Sequence, residues 1–369
     1  MKRTISIRLD ITPEQNTKLF QLQEAYMVAC NQIVPDVIAA RCWNRVALHG
    51  LVYSKIRKTS PLGSQMVCNA IYSVCKAYQA KSVLPKEEIP QICFRKERSV
   101  HFDKRTYTIK NGIISLYTLG KRIKVPMRFG QFQKDYFSKG VPKEGELICK
   151  KGRWYFNLVL DFPDPPLQTD TGLLGVDLGE NNVFATSTGK IVSGSKIRYE
   201  RDQFLAKRRA LQSNGSQSAK QLLKKISGRE NRRMKHINHK LSKEIVQEAI
   251  EQKAGIIVLE DLTNIRKRIK AGKRMRTRLH RWGFRQLQLF VQYKAEAKGL
   301  SVLYVNPAYS SQTCSVCDCL GVRERHLFKC SCGNQQHADS NASKNLCRFA
   351  LGTPEATCAV NRTQVAVKC

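Results

Sequence analysis

Alternation of apolar and polar residues marks the beginning of the chain as a half-exposed β-strand. Ile5, Ile7 and Leu9 are separated by polar residues, as in a strand with one face on a core. A helix is predicted next, because Thr12-Pro13-Glu14-Gln15 combines the capping-box spacing with proline at the first helical position. Apolar residues then recur at helical spacing to about Ala80. The pattern predicts one strand followed by helices.

Between residues 100 and 162 the pattern changes to short alternating runs, which predict antiparallel strands. Asn111-Gly112 and Lys151-Gly152 lie between such runs and have the composition of tight hairpin turns. We expect the N-terminal strand to join these strands in a β-barrel, with the helices inserted between. Pro163-Asp164-Pro165-Pro166 lacks backbone donors and predicts a stiff linker, and therefore a domain boundary near residue 168.

The second half of the chain predicts buried strands that carry carboxylates. Apolar residues flank Asp177 on a predicted strand and hairpin, and a second apolar run ends at Glu260. Between them, the polar and basic segment 196–251 predicts a helical hairpin, broken near Ser213-Asn214-Gly215-Ser216. Asp339 opens a final predicted helix. The three acidic residues therefore lie at the ends of predicted elements.

Three carboxylates in this arrangement predict a metal-dependent nuclease. Hydrolysis of a phosphodiester by two divalent ions requires carboxylates that converge on both ions. Neighbouring parallel strands end at the same edge of a sheet, so that Asp177 and Glu260 can meet there, with Asp339 added from a helix. The order of strand Asp, strand Glu and helix Asp is that of an RNase H-like fold. We expect these residues to hold two Mg²⁺ ions.

The charge of the chain points to nucleic acid as its partner. The sequence has 64 Lys and Arg against 29 Asp and Glu, which gives a net charge of +35. Positive charges at this density repel one another, and a bound polyanion would neutralise them. An anionic membrane is the rival partner, but no apolar run approaches the roughly 18 residues that span a bilayer. The N-terminus lacks the apolar core of a signal peptide. We predict a cytoplasmic protein without a membrane segment.

A strongly basic block lies between Arg266 and Arg281. It contains nine basic residues and no acidic one, and such a block repels itself unless phosphates lie against it. We predict a cationic lid that contacts nucleic acid, and a solvated loop is the alternative. The predicted contact residues are Lys267, Arg268, Arg274 and Arg276.

Eleven of the 14 cysteines fall into two groups. Without an export signal they are expected to be reduced, and those without metal-ligand spacing are predicted to be core thiols. This first group is Cys30, Cys42, Cys68, Cys75, Cys93 and Cys149. The second group begins with a Cys-x-x-Cys and predicts a zinc ribbon, in which two turns supply thiolates to one tetrahedral ion. It consists of Cys314, Cys317, Cys319, Cys330 and Cys332.

Four segments together closely resemble the TnpB family, the nucleases encoded by insertion sequences and related to type V CRISPR effectors. The resemblance covers essentially the whole chain. The segments are 175–179 (Gly-Val-Asp-Leu-Gly), 257–262 (Ile-Val-Leu-Glu-Asp-Leu), 306–317 (Asn-Pro-Ala-Tyr-Ser-Ser-Gln-Thr-Cys-Ser-Val-Cys) and 337–345 (His-Ala-Asp-Ser-Asn-Ala-Ser-Lys-Asn).

The resemblance implies a RuvC-type nuclease with the catalytic triad Asp177, Glu260 and Asp339. It also implies a guide RNA from the transposon end and a double-stranded DNA target beside a short adjacent motif, in the prokaryotic nucleoid. Its domains would be a wedge-like β-barrel that binds RNA and DNA (1–10 and 86–167), a helical recognition domain (11–85), the RuvC-like domain (168–308 and 337–369) and a zinc-ribbon target-nucleic-acid-binding module (309–336).

The zinc ribbon departs from the common family pattern. Its second half is Cys330-Ser331-Cys332, one residue shorter than a Cys-x-x-Cys knuckle, so Cys319 is an alternative ligand. We predict Cys314, Cys317, Cys330 and Cys332 as the ligands of one structural Zn²⁺. Among the histidines, His337 is predicted to line the cleft, whereas His236 and His239 are expected to face RNA or solvent.

The leading prediction is therefore an RNA-guided DNA endonuclease. A nuclease-inactive, RNA-guided DNA-binding repressor is the alternative, and the presence of all three carboxylates argues against it. A sugar-kinase or actin-like ATPase has no reason for a charge of +35 or a zinc ribbon, and the sequence contains no P-loop. A transposase acting on its own DNA ends has a related fold and is separated only by the family resemblance. The oligomeric state stays open.

Overall fold

The computed structural model of the chain describes residues 1–81, 88–168, 170–262 and 283–352. The chain divides into two compact units, Met1–Pro163 and Asp164–Cys369. This division falls within the proline-rich segment, and residues 162–168 belong to no helix or strand. The finer division into domains stays a prediction. The predicted contact residues of the basic block, Lys267, Arg268, Arg274 and Arg276, lie outside the described residues.

The first unit contains a seven-stranded antiparallel sheet in the order β2-β6-β7-β1-β5-β4-β3. The N-terminal strand joins this sheet, as predicted, and lies between β5 and β7. The two edge strands, β2 and β3, are joined by only residues 103–106, so the sheet is nearly closed into a barrel. The strands are β1 (Lys2–Leu9), β2 (Val100–Phe102), β3 (Tyr107–Lys110), β4 (Ile113–Leu116), β5 (Ile123–Arg128), β6 (Val141–Lys150) and β7 (Arg153–Asp161).

Two predicted hairpin turns join neighbouring strands of this barrel. Asn111 and Gly112 have φ angles of 50° and 75° between β3 and β4, and Lys151 and Gly152 have 52° and 72° between β6 and β7. Positive φ at both central residues matches the right-handed twist of the flanking strands. The local sequence therefore sets the register of both hairpins.

The helices of the first unit are α1 (Pro13–Ala40), α2 (Arg45–Thr59), α3 (Ser64–Gln79) and α4 (Gln131–Phe137). The predicted capping box begins α1: the hydroxyl of Thr12 accepts from the backbone N–H of Gln15, whose side chain accepts from the N–H of Thr12. Among the predicted core thiols, Cys30 and Cys75 are buried, but Cys93 is exposed and Cys42, Cys68 and Cys149 are half-buried. The prediction was wrong for Cys93 because it lies in an irregular segment, which spacing alone does not reveal.

The second unit contains a five-stranded sheet in the order β10-β9-β8-β11-β12. Strands β8, β11 and β12 are parallel, whereas β9 and β10 run antiparallel to their neighbours. The strands are β8 (Gly172–Asp177), β9 (Asn182–Thr186), β10 (Ile191–Ser193), β11 (Ala254–Glu260) and β12 (Ser301–Val305). The helices are α5 (Ser195–Asn214), α6 (Gln217–Glu251), α7 (Phe284–Glu296) and α8 (Ala338–Leu351).

Helices cover both faces of this sheet. Side chains of α6 and α7 pack against one face of β11, at Ile257 and Leu259. Helix α8 packs against the other face, at Ile256 and Val258. Gly175 permits the close approach of α8, because a Cβ at this position would lie 2.0 Å from a backbone oxygen of that helix. The contact with β8 positions the first turn of α8 relative to the sheet.

A small three-stranded antiparallel sheet lies between β12 and α8 in sequence. Its strands are β13 (Val322–Glu324), β14 (Leu327–Lys329) and β15 (Gln335–His337). Its buried apolar cluster consists of only Cys314, Phe328 and Ala338. In the described part of the chain, no helix combines the length and apolar character that a membrane crossing requires.

Candidate active site

The structure brings the three predicted carboxylates together at one edge of the five-stranded sheet. Asp177 is the last residue of β8 and Glu260 is the last residue of β11. These strands are parallel neighbours in which Val176 pairs with Leu259, so both carboxylates leave the sheet at the same end. Asp339 lies in the first turn of α8. Their separation of 162 residues in sequence is thus closed by sheet pairing and helix packing.

The three carboxylates repel one another in a poorly solvated position. Burial raises the pKa of Asp177 well above its usual range. A hydrogen bond with Glu260, followed by the charges of Glu260 and Asp339, raises this pKa further, while Arg323 opposes the rise. Carboxylate oxygens are the ligands that Mg²⁺ prefers. This set of donors and its excess of negative charge therefore fit a divalent cation.

Glu260 is held at the end of its strand by backbone and side-chain contacts. Its Oε1 accepts a hydrogen bond from the N–H of Leu178, at 3.4 Å. Its carbonyl oxygen accepts from Nε2 of Gln288, at 2.7 Å. Gln288 is fully buried on α7. Helix α7 therefore contacts the backbone at the end of β11, and the periodicity of the sequence did not indicate this contact.

Asp339 is contacted on both carboxylate oxygens. Asn182, at the start of β9, donates to Oδ2, and Arg323, in β13, donates to Oδ1, each at 2.8 Å. Nδ1 of His337 accepts a hydrogen bond from the N–H of Asp339, so this histidine caps α8. The sequence had predicted it only as a residue that lines the cleft. Sequence reasoning also missed Asn182 and Arg323. The polar turn after Asp177 was a signal for Asn182, whereas nothing in the sequence pattern marked Arg323.

Four of the five clustered cysteines form one group. Possible ligand atoms of Cys314, Cys317, Cys330 and Cys332 all lie within 4.8 Å of one another. The Sγ atoms of Cys314 and Cys332 are 3.7 Å apart, and those of Cys317 and Cys330 are 3.5 Å apart. Disulfide sulfurs would be about 2.05 Å apart, whereas tetrahedral Zn–S bonds of ~2.3 Å give sulfur separations of about 3.8 Å. The group therefore fits a tetrahedral metal ion.

Cys319 is exposed and lies outside this group. Instead, its carbonyl oxygen accepts a hydrogen bond from the N–H of Cys314. Burial raises the pKa of Cys314, but hydrogen bonds from the Asn334 amide and from nearby backbone N–H groups outweigh this effect and lower it to about 6. The metal-free thiol of Cys314 is thus prepared for the thiolate form that a metal requires.

Helix α8 connects the carboxylate edge to the cysteine loops. Asn341 and Asn345 donate hydrogen bonds to the carbonyl oxygen of Thr313, at 2.7 and 2.6 Å. Asn341 also accepts from the N–H of Ser315, at 2.9 Å. The helix that carries Asp339 therefore anchors the segment that enters the cysteine group.

The other two histidines with a sequence-based prediction, His236 and His239, differ in their surroundings. His236 is exposed, as predicted. His239 is half-buried and stacks on Phe290 of α7, with ring centroids 4.0 Å apart. Its carbonyl oxygen accepts a hydrogen bond from Lys294. His239 is therefore only partly open to solvent, and its polar surroundings in sequence did not indicate this contact between α6 and α7.

Comparison with known proteins places this arrangement in a family. Residues 157–266 match a family model described as a probable transposase, OrfB_IS605, and residues 284–346 match the Cas12f1-like TNB domain. A TnpB-like protein of Methanocaldococcus jannaschii is 32% identical over 228 residues, which are 57% of this chain and 80% of that protein. The chain belongs to the TnpB family.

The chain is also similar to proteins named Cas12f1, in sequence and in fold. A CRISPR-associated endodeoxyribonuclease Cas12f1 of Sulfoacidibacillus thermotolerans is 32% identical over 218 residues, and the chain spans 50% of its length. A solved Cas12f1 complex with guide RNA and target DNA has a TM-score of 0.62 and 17% identity, covering 93% of this chain and 84% of that one. This structural likeness shows a shared multidomain fold.

Proposed function

We propose that this TnpB-family chain is the RNA-guided DNA endonuclease of an insertion sequence and cuts target DNA beside a short adjacent motif. The observation that carries the proposal is the convergence of Asp177, Glu260 and Asp339 at one sheet edge, where burial and repulsion raise the pKa of Asp177. Acids held together in a buried position cost free energy, so their convergence requires a compensating positive charge. A cation shared with a phosphodiester explains them.

The fold supports the same proposal. In chain order, β8, β9 and β10 are antiparallel neighbours, and β11 and β12 then run parallel to β8. This order, with acids at the ends of β8 and β11, agrees with the RNase H-like nuclease domain expected from the resemblance. The similar Cas12f1 protein is named an endodeoxyribonuclease, and its solved relative contains guide RNA and target DNA. Guide pairing would supply sequence specificity, and the protein would read duplex shape and the adjacent motif.

Asp177, Glu260 and Asp339 are the residues that would hold two Mg²⁺ ions. Such ions activate the attacking water and stabilise the leaving oxygen of the phosphodiester. The chain itself supplies the orientation: Asn182 and Arg323 fix the two oxygens of Asp339, and Gln288 fixes the backbone at Glu260. Arg323 also offsets part of the negative charge until a cation binds.

The cysteine group would hold one structural Zn²⁺. The ribbon has a buried cluster of only Cys314, Phe328 and Ala338, which is too small to stabilise it alone. Zinc would supply the missing folding free energy and would keep β13, and with it Arg323, in place beside Asp339. The basic residues Lys267, Arg268, Arg274 and Arg276 are proposed to contact the phosphates of the strand being cut.

The test is guided cleavage by two variants, one at the end of β11 and one at the end of the helix that precedes it. The chain is expressed with its flanking transposon DNA, the RNA that co-purifies is sequenced, and a matching DNA target is supplied with Mg²⁺. Glu260→Gln should abolish cleavage while guided DNA binding is retained. Glu251→Gln, an exposed residue at the end of α6 before β11, should cut normally.

Two outcomes would count against the proposal. Guided DNA binding by the wild-type protein without cleavage would favour the nuclease-inactive repressor. Full cleavage by Glu260→Gln would remove the carboxylate edge from the chemistry.

A further inference from the structure

A polar cleft of the first unit has an unusual charge arrangement that the proposed nuclease chemistry does not use. The cleft has a volume of about 790 Å³ and lies where α1 begins beside β1, β5 and β7. The lining side chains that matter here are Arg8, Asp10, Asn16, Arg128, Arg153 and Trp154.

Two arginines face each other across neighbouring strands of this cleft. Arg8 of β1 is the register partner of Arg128 of β5. Like charges directly opposite one another in an antiparallel pair are destabilising. Asp10 neutralises Arg128, with contacts of 3.1 Å to Nη2 and 3.2 Å to Nε. The charge of Arg8 is left without a corresponding carboxylate among the described residues.

Arg8 also contains an unsatisfied donor. Its Nε is buried and has no hydrogen-bond partner in the described part of the protein. A buried donor without a partner costs free energy, and a charged donor costs more than a neutral one. Arg153 adds a further guanidinium at the start of β7. Three guanidinium groups against one carboxylate therefore favour an anion with several acceptor oxygens, and a phosphate matches the fork of arginine donors.

An exposed aromatic ring packs against one of the residues that line this cleft. Phe20, one turn after Asn16 on α1, is 44% exposed and contacts Trp154 with ring centroids 5.0 Å apart. The indole N–H of Trp154 donates to Asn16, at 2.8 Å, which fixes the ring that supports Phe20. A ring held beside a phosphate-binding group can stack on an unpaired base. A base within a duplex has no free face, so it cannot make this contact.

We propose that this arginine cleft binds the phosphodiester of an unpaired RNA nucleotide and that the base of this nucleotide stacks on Phe20. The inference rests on the proposed function, since it takes RNA to be a partner of the chain. It adds a defined site: Arg8 and Arg153 contact the phosphate, Arg128 is held in place by Asp10, and Phe20 selects unpaired over paired nucleotides.

The experiment measures binding of a short fluorescein-labelled single-stranded RNA to the RNA-free full-length protein over a series of salt concentrations. Arg8→Gln should weaken binding and lower the salt slope by about 0.7, the value for one lost phosphate contact on a single strand. Arg8→Lys should keep the slope but bind less tightly, because it retains the charge and loses the planar fork. Melting temperatures verify that each variant is folded.

Arg122→Gln is the matched control. Arg122 belongs to the same barrel, but its guanidinium already donates to Ser115 and to the carbonyl oxygen of Arg105. Removal of this charge should affect RNA binding less than Arg8→Gln does. Equal losses in the two variants would show that only net charge matters and would overturn the inference.

Phe20→Leu tests the stacking. This variant should weaken single-stranded RNA binding about tenfold, in the range found for the loss of one base–aromatic stack. Binding of a duplex of the same sequence should be unchanged. Equal weakening for single strand and duplex would overturn the assignment of an unpaired nucleotide. Cleavage is not the readout, so a nuclease-inactive protein with Arg8-dependent RNA binding would refute the proposed function and leave this inference standing.

Discussion

The carboxylate edge and the cysteine group are both sets of donors that fit a metal, but they are positioned in opposite ways. Asp177 and Glu260 lie at the ends of strands packed on a large apolar core that includes α6 and α7. The cysteines lie in short loops beside a buried cluster of three residues. The first site is held by its scaffold, whereas the second must be held largely by its own ligands.

This difference has a consequence for both sites. At the carboxylate edge, the fold forces acids together, and their repulsion works against the fold unless a cation offsets it. In the cysteine group, the metal would supply stability that the small ribbon lacks. Loss of a donor should therefore affect activity alone at the first site, but structure as well at the second.

The largest effect is expected at the carboxylate edge. Asp177→Asn and Asp339→Asn should each reduce cleavage by more than roughly 100-fold, because even loss of a partner behind a metal ligand typically costs 10–100-fold. The melting temperature of the metal-free protein should stay the same or rise, since each change removes a repelling charge. Guided cleavage and thermal unfolding measure the two quantities. A marked loss of stability would break the comparison, because it would show that the acids hold the scaffold.

The cysteine group should show the converse. Cys317→Ser should abolish zinc binding and expose the ribbon to protease, whereas Cys319→Ser, in the same loop, should keep one zinc per chain. Elemental analysis and limited proteolysis give the two readouts. If zinc were lost from Cys319→Ser but retained in Cys317→Ser, the ligand would be Cys319 and the prediction of Cys317 would be wrong.

Arg323 lies in β13 of the zinc ribbon and contacts Asp339 of the carboxylate edge. Its substitution therefore tests how independent the two sites are. Arg323→Gln should reduce cleavage by about tenfold, because Asp339 loses a hydrogen-bond partner. Zinc content should not change, since Arg323 is not a ligand. Arg325→Gln, in the same ribbon with an exposed side chain, is the control for lost charge and should cut normally. Similar losses in both variants would indicate that Arg323 acts through net charge rather than by orienting Asp339.

The smallest effect concerns the scaffold behind the carboxylate edge. Burial lowers the pKa of Lys294 to about 8, and this lysine of α7 donates to the carbonyl oxygen of His239 and the hydroxyl of Ser242 on α6. Between about pH 8 and the usual lysine pKa of about 10.4, the unfolded chain binds more protons at this position than the folded chain does. Its contribution to stability should therefore increase as the pH rises through this window.

The measurement compares melting temperatures of the wild type and Lys294→Gln at several pH values in that window. The advantage of the wild type should grow with pH. Lys298→Gln, an exposed lysine after the same helix, should show no such trend. A difference that shrinks as the pH rises would contradict the direction of the pKa shift and weaken the view of α7 as part of a rigid support.

Local sequence was sufficient for many individual elements. The capping box at Thr12 and the hairpin turns at Asn111-Gly112 and Lys151-Gly152 occur where their residues predicted them, because each depends on neighbours a few positions away. The break between α5 and α6 also falls at its polar signal, with Gly215 in the left-handed region. Cys93 was misassigned because burial depends on packing partners elsewhere in the chain.

By itself, the sequence determined the identities of the donors: three acids at the ends of predicted elements, and cysteines at metal-ligand spacing within a basic chain. Only the tertiary structure decided which groups share a space. It placed Arg323 and Asn182 on Asp339, excluded Cys319 from the thiol group, and set Arg8 opposite Arg128. The reason is physical: composition and periodicity specify local conformation, whereas pKa shifts, ligand geometry and unsatisfied donors arise from strand register and helix packing between distant segments.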